Sequence, residues 1–430
     1  MTPDPPFSHP ETDFARRLGS GSAITELMQD LGEALASGGE DMMMLGGGQP
    51  AHIPEVNELW RKRLRKIEAT PGQLESTLAN YDPPGGNARF CQALADLLSR
   101  EFGWPVGPEN IAVTTGGQTA FFFLFNYFAG PGRHILLPLV PEYIGYESQL
   151  TGGGTFRAIP PQIEEIGDDQ FKYRIDFDAL EITSETAAIC ASRPTNPTGN
   201  VLTDHEVEKL RALAREAGIP LILDNAYGAP FPNVIFEDVQ PVWDEGMILT
   251  LSLSKLGLPG TRTGLVVAAP PIISALRSMT ATVGLANPNL GQAIVTPLLE
   301  SGKILTLSRE TIRPFYQEKS HQAQAWVREA FDGFSHYRIH LSEGALFLWL
   351  WFPGLPIASR ELYQRLKTKN VLIVPGEAFF FGDDGASGRH RQECLRMTFT
   401  ASAEKVRAGI FVLAAEVRSA FQSASDTLPT

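Results

Sequence analysis

Cysteine is scarce in this chain: three residues (Cys91, Cys190 and Cys394) in 430. They are odd in number and far apart, which argues against a disulfide framework and predicts reduced thiols in a cytoplasmic setting. Neither they nor the eight histidines show metal-ligand spacing. No apolar run approaches the roughly 18 residues of a membrane-spanning helix. The opening MTPDPPFSHPETDF is polar and proline-rich, unlike a signal peptide. Positive charge is also short: 36 Lys and Arg against 49 Asp and Glu leave a net −13, spread along the chain. That argues against nucleic acid and anionic membrane as partners. Tandem repeats are lacking, and low complexity is confined to short glycine runs such as 46–48 and 152–154.

What is present is an ordinary globular balance, 43% hydrophobic and 20% charged. The length exceeds one typical core, so a large domain with a smaller companion is expected. Between about 75 and 300, nearly all-apolar runs alternate with helical patterns. The runs are ENIAVTT (109–115), RHILLPL (133–139), TAAICAS (186–192), IPLILDN (219–225), GMILTLSLS (246–254) and TGLVVAA (263–269). Strands apolar on both faces belong to a mostly parallel sheet covered by helices, so the fold class is α/β. One intervening helix, EVEKLRALAREAG, closes on Gly218, a C-cap residue.

The pattern changes beyond about 305. ALFLWLWF (345–352), NVLIVPG (370–376) and ECLRMTFT (393–400) read as strands. A last helix aligns Val406, Ile410, Leu413, Val417 and Phe421 on one stripe. The expected division is 1–50, a mobile arm and helix (ITELMQDLGEALASG) joining the small domain; 51–304, the large domain; and 305–430, a small α+β domain.

In open α/β sheets, ligands bind beyond the carboxyl ends of the strands. Here the polar and glycine-rich residues gather at those ends. Gly116-Gly117-Gln118-Thr119 follows the first strand and opens a helix, whose bare amides suit an anion such as phosphate. Taken alone, a plain tight strand-to-helix turn is the commoner explanation. Asp224 ends a strand three residues before Tyr227, as a buried paired carboxylate or as a helix cap. SRPTNPTGN (192–200) makes a stiff loop in which an X-Pro bond can be cis. In LSLSKLGLPGTRTG (251–264), Ser252, Ser254 and Arg262 suit phosphate recognition, and Lys255 in that setting is a nucleophilic amine or an exposed loop residue. Taken together, a carboxylate, an anion site and a lysine at the strand ends of one sheet match what pyridoxal phosphate requires.

With YDPPGG, TTGGQTA, PEYIGY, SRPTNPTGN, DNAYG, SLSKLGLPGTRTG and CLRMTFT in order, the chain resembles the aspartate-aminotransferase superfamily, the fold-type I pyridoxal-phosphate enzymes. The likeness runs from LGGGQP to the last helix. Within the superfamily, LLPLVPEYIGY, DNAYGAPFP and EGALFLWLWF are most similar to the valine–pyruvate aminotransferase group.

The resemblance implies a seven-stranded large-domain sheet and a ping-pong amino transfer. It implies that Lys255 binds the cofactor aldehyde covalently and shuttles the proton, while Asp224 pairs with the ring nitrogen. Tyr227 and Asn196 would bond the ring's phenolic oxygen, with Asn196–Pro197 cis, and Tyr143 would stack on the ring. Gly117, Gln118, Thr119, Ser252, Ser254 and Arg262 would hold the phosphate, with Tyr81 reaching the phosphate of the neighbouring subunit of a homodimer. Arg396 would clamp the substrate carboxylate with Asn196 and the backbone of Gly48; a structural salt bridge is its competing role. Superfamily members that take aspartate often use a second arginine. VGLANPNLGQA (283–293) contains none, which favours a small apolar amino acid such as valine or alanine, with pyruvate as its counterpart.

Overall fold

The computed structural model describes residues 11–19, 21–37 and 42–426. The first ten residues of the expected arm lie outside the described residues. All six apolar runs of the 75–300 region form strands. We label the strands of their sheet β1 (Ile111–Thr115), β2 (His134–Leu137), β3 (Thr155–Ala158), β4 (Thr186–Ser192), β5 (Leu221–Asp224), β6 (Met247–Ser252) and β7 (Thr263–Val267). The sheet has seven strands in the order β1-β7-β6-β5-β4-β2-β3. Only β7 runs antiparallel to its neighbours, β1 and β6. All seven residues of β4 and all six of β6 are buried, which explains their unbroken apolar character.

The register positions the chemistry. Ser192 of β4 lies opposite Asp224 of β5, which lies opposite Thr250 of β6. Thr263, where the antiparallel β7 begins, pairs with Thr115, where β1 ends. The strand ends of the parallel run and the start of β7 therefore meet at one edge.

Local signals fix the helices. Asp204–Ala217 starts at a capping box in which Glu206 N–H donates to Thr203 Oγ1 (3.1 Å) and Thr203 N–H donates to Glu206 Oε2 (2.8 Å). It ends at Gly218 with φ 65°, as its sequence predicts. In the last helix, Ala403–Asp426, the stripe Val406, Ile410, Leu413 and Val417 is buried, and Phe421 is half-buried.

The C-terminal part carries a six-stranded sheet: Val374–Pro375, Cys394–Thr398, Phe347–Trp351, Arg338–His340, Gln170–Arg174 and Gln162–Ile166. The last two form a hairpin contributed from inside the 51–304 region. Met43–Met44 pairs in parallel with Val371–Leu372, which ties the N-terminal segment to this part of the molecule. NVLIVPG, read as one strand, divides into Val371–Leu372 and Val374–Pro375, which serve different sheets. Residue 304 falls within helix Lys303–Leu307, which runs on almost without interruption to Ala330.

Candidate active site

At the shared strand edge lies a cavity of about 180 Å³. Its walls include Gly117, Gln118, Tyr143, Asn196, Asp224, Tyr227, Ser252, Ser254, Lys255 and Arg262, ten of the residues singled out in the sequence. Helix α1 (Gly117–Phe128) begins at this wall, after Gly116 with φ 81°. Its bare amides and the hydroxyls of Ser252 and Ser254, with Arg262 beside Gly116, make one positive, donor-rich end.

Asp224 supplies the opposite charge. Tyr146 Oη donates to Asp224 Oδ2 (2.6 Å), Ala226 N–H to Oδ1 (2.8 Å) and Thr250 Oγ1 to Oδ1 (3.2 Å). Burial pushes the Asp224 pKa up, and these three donors oppose the push. Among the described residues, no cationic side chain forms an ion pair with it.

Lys255 sits in a short turn, Ser254–Leu256, whose Leu256 carbonyl accepts from Trp60 Nε1 (3.0 Å). Its amine donates to the Gly48 carbonyl (2.5 Å) and lies 4.9 Å from the centre of the Tyr227 ring. Burial, then the charges of Arg396 and Arg262, bring its pKa down to about 8.

Arg396 is 2% exposed and is held without an acid. Its Nη1 donates to Asn196 Oδ1 (2.7 Å) and its Nη2 to the Gly46 carbonyl (2.7 Å). The guanidinium lies 4.2 Å from the Phe347 ring and 5.2 Å from Phe379. Its Nε is buried without a hydrogen-bond partner. A structural salt bridge is therefore not its role here. A buried cation lacking a counter-charge is costly unless an anion arrives.

Two expectations need correction. Thr119 Oγ1 donates to the Thr115 carbonyl (3.0 Å) within the helix, so its side chain does not line the cavity. The cis bond of the 192–200 loop is Arg193–Pro194, not Asn196–Pro197; residues 195–199 instead wind into a turn closed by Gly199 N–H onto the Thr195 carbonyl (2.8 Å). Tyr81, expected to act in the neighbouring subunit, is 81% exposed and stands apart from the cavity of its own chain. Gly48 does reach the site, as the carbonyl that receives Lys255. Sequence reasoning missed Glu142, Tyr146 and Ser192. Glu142 follows a strand end as Asp224 does, and the same argument about buried acids applied to PEYIGY finds it.

The residues fit pyridoxal phosphate: an anion cradle, a buried carboxylate without a cation and a buried amine of lowered pKa surround one cavity. The comparisons with known proteins agree. The family model "Aminotransferase class I and II" matches residues 40–412. The chain is 44% identical over 413 residues to the valine–pyruvate aminotransferase of Escherichia coli (strain K12), covering 95% of this chain and 98% of that protein. It is 28% identical over 396 residues to aromatic-amino-acid aminotransferase 1 of Thermococcus litoralis, covering 88% of each. The crystal structure of valine–pyruvate aminotransferase from Salmonella typhimurium LT2 superposes with a TM-score of 0.85 at 44% identity, covering 93% of this chain and 99% of that one. The chain belongs to the class I and II aminotransferases, pyridoxal-phosphate-dependent transaminases of fold type I.

Proposed function

We propose that this enzyme moves the amino group of L-valine to pyruvate, giving 3-methyl-2-oxobutanoate and L-alanine. The observation that carries substrate binding is Arg396: a buried guanidinium with an unpaired Nε and no acid is a receptor for one carboxylate. The similarity to the Escherichia coli valine–pyruvate enzyme, 44% over 95% of the chain, supports the choice of donor and acceptor.

Pyridoxal phosphate supplies an aldehyde that takes up the amino group and a protonated ring that accepts the electrons released at Cα. Gly117, Gln118, Ser252, Ser254 and Arg262 hold the phosphate. Asp224 pairs with the ring nitrogen, Tyr227 and Asn196 bond the phenolic oxygen, and Tyr143 covers the ring. Lys255 Nζ takes the proton from the substrate Cα and returns one in each half-reaction. Arg396, with Asn196, fixes the carboxylate so that the Cα–H bond faces that amine.

The protein acts as a homodimer in the cytoplasm, with Tyr81 completing the phosphate site of the partner. All three cysteines are free and buried, in keeping with a reducing compartment. No described helix is long and apolar enough to cross a membrane.

The test is a screen of amino donors with pyruvate on the purified, cofactor-loaded protein, scoring alanine released. Valine is expected to exceed aromatic amino acids and 2-aminoadipate at least about tenfold in kcat/KM, the discrimination a pocket built for one apolar side chain supplies. A preference for an aromatic or dicarboxylic donor would overturn the assignment.

A further inference from the structure

Behind Asp224, away from the cavity, lies a second buried acid. Glu142 is 2% exposed and makes no ion pair among the described residues. Its Oε1 accepts from Ser192 Oγ (2.6 Å) and from Tyr143 N–H (2.9 Å); its Oε2 accepts from Ser192 N–H (3.0 Å). Ser192 Oγ lies 3.5 Å from Tyr146 Oη, which donates to Asp224 Oδ2 at 2.6 Å. Two carboxyl groups are thus joined through two hydroxyls: Glu142, Ser192, Tyr146, Asp224.

Every group facing Glu142 is neutral or negative. Asp224 faces it from β5, Cys190 and Ser192 from β4, and Tyr143 and Tyr146 from its own loop. Its own amide donates to the Phe379 carbonyl (3.0 Å). Two carboxylates in one dry pocket do not both ionise readily. Each carboxyl group accepts three hydrogen bonds, but Asp224 faces the cavity with Lys255, whereas Glu142 has no cation nearby. The charge therefore settles on Asp224 and the proton on Glu142.

We propose that Glu142 is a positioning residue for Asp224: the pair carries one shared proton, kept at the Glu142 end, and the hydroxyls of Ser192 and Tyr146 turn toward Asp224 so that its charge faces the cofactor ring. With Glu142 neutral, its O–H becomes the donor to Ser192 Oγ in place of the Ser192 hydroxyl that donates to a charged Glu142, and the three hydrogen bonds run in one sense, from Glu142 to Ser192 to Tyr146 to Asp224. Burial, reinforced by the charge of Asp224, takes the Glu142 carboxyl up to about 8, against the pull of Ser192 and Tyr143, so it carries a proton at neutral pH. The functional consequence rests on the pairing of Asp224 with the ring nitrogen; the shared proton itself does not.

Infrared difference spectroscopy on the cofactor-loaded protein, with glutamate carboxyls labelled with carbon-13, reads that proton directly and needs no substrate. A protonated-carboxyl band is expected at pH 6, shifted by the label, fading as pH passes through about 8 and missing in Glu142→Gln. Glu142→Gln is also expected to keep kcat/KM at pH 7 within about threefold, because it preserves a neutral group of the same shape. The wild-type cofactor absorbance should carry an ionisation that the variant lacks. A glutamate that serves packing alone would instead lower activity equally at every pH. Absence of a Glu142-dependent band at pH 6 overturns the proposal. If Glu142→Gln does not fold, Tyr146→Phe decides. Removing the shortest donor to Asp224 takes away a bond that favours its charged form, so part of the shared proton moves to Asp224 and the labelled Glu142 band at pH 6 loses intensity to an unlabelled carboxyl band. An unchanged Glu142 band overturns the shared proton.

Discussion

A lysine in water keeps its proton to above pH 10. Lys255 is buried and faces Arg396 and Arg262, and these together bring it to about 8. Asp224 opposes that shift without cancelling it. The sign matters for chemistry: lowering the pKa of a base enlarges its neutral, nucleophilic fraction at neutral pH. At pH 7 that fraction is about a tenth, against roughly one part in 3,000 for an ordinary lysine. Stripped of cofactor and mixed with pyridoxal phosphate, the protein should react about fivefold faster at pH 8 than at pH 7, then gain less than about twofold more by pH 9. Stopped-flow absorbance, with Lys255→Met as the background, measures the rate. A rate still climbing tenfold per unit beyond pH 9.5 would show an unperturbed amine. The residue types of this site were legible in the sequence because lysine, aspartate and arginine at strand ends need partners. The link from Glu142 to Asp224 was not, because it depends on Ser192 standing opposite Asp224 in the register of two strands 30 or so residues apart.

Elements place the side chains, and one glycine shows how closely. Gly264 lies in β7 against the turn between β1 and α1. A Cβ there would stand 2.5 Å from the Gly116 carbonyl carbon and 2.7 Å from the Gly117 nitrogen. Glycine inside a strand commonly marks such an approach of a second backbone. Gly264→Ala must push the anion-binding turn away from Ser252 and Arg262. Overpacking of this kind costs about 1–3 kcal/mol, so cofactor affinity should fall roughly tenfold or more. Gly260 has open space around its Cβ position and serves as the control. Absorbance titration of the cofactor-free variants checks both, and an unchanged Kd for Gly264→Ala would show that the turn does not hold the phosphate. Six strands of this sheet were readable because they are nearly all apolar; the edge strand Thr155–Ala158, with the partly exposed sequence TFRA, was not. The hairpin Gln162–Arg174 was not: Gln162–Ile166 is largely exposed, with the polar sequence QIEEI, and its pairing with the C-terminal sheet follows from tertiary position alone.

At the scale of the whole molecule, one surface remains to be covered. Leu78, Tyr81, Val283 and Leu285 are 66%, 81%, 68% and 56% exposed. The two stretches that carry them are tied together: Asn289 Nδ2 donates to the Asn80 carbonyl (3.0 Å) and Asn287 Nδ2 to the Pro84 carbonyl (2.8 Å). Leu285 holds φ 62°, a conformation that side chains other than glycine's rarely adopt, and it presents an aliphatic group to solvent. Large apolar residues grouped in this way mark an interface rather than a wet surface. The homodimer proposed above would cover them and would bring Tyr81, which stands away from the cavity of its own chain, to the partner's phosphate site. Sedimentation equilibrium should therefore report twice the chain mass. A carboxylate buried in an apolar interface costs several kcal/mol, so Leu285→Asp combined with Leu78→Asp should give monomers with little transaminase activity. Tyr81→Phe separates assembly from chemistry, because it removes one hydroxyl and almost no apolar area. It should remain dimeric while binding pyridoxal phosphate about fivefold to tenfold more weakly, the loss of one hydrogen bond to a charged group. A wild-type monomer with full activity would refute the shared site. A dimer in which Tyr81→Phe binds the cofactor as tightly as wild type would leave the interface standing but remove Tyr81 from it as a phosphate ligand.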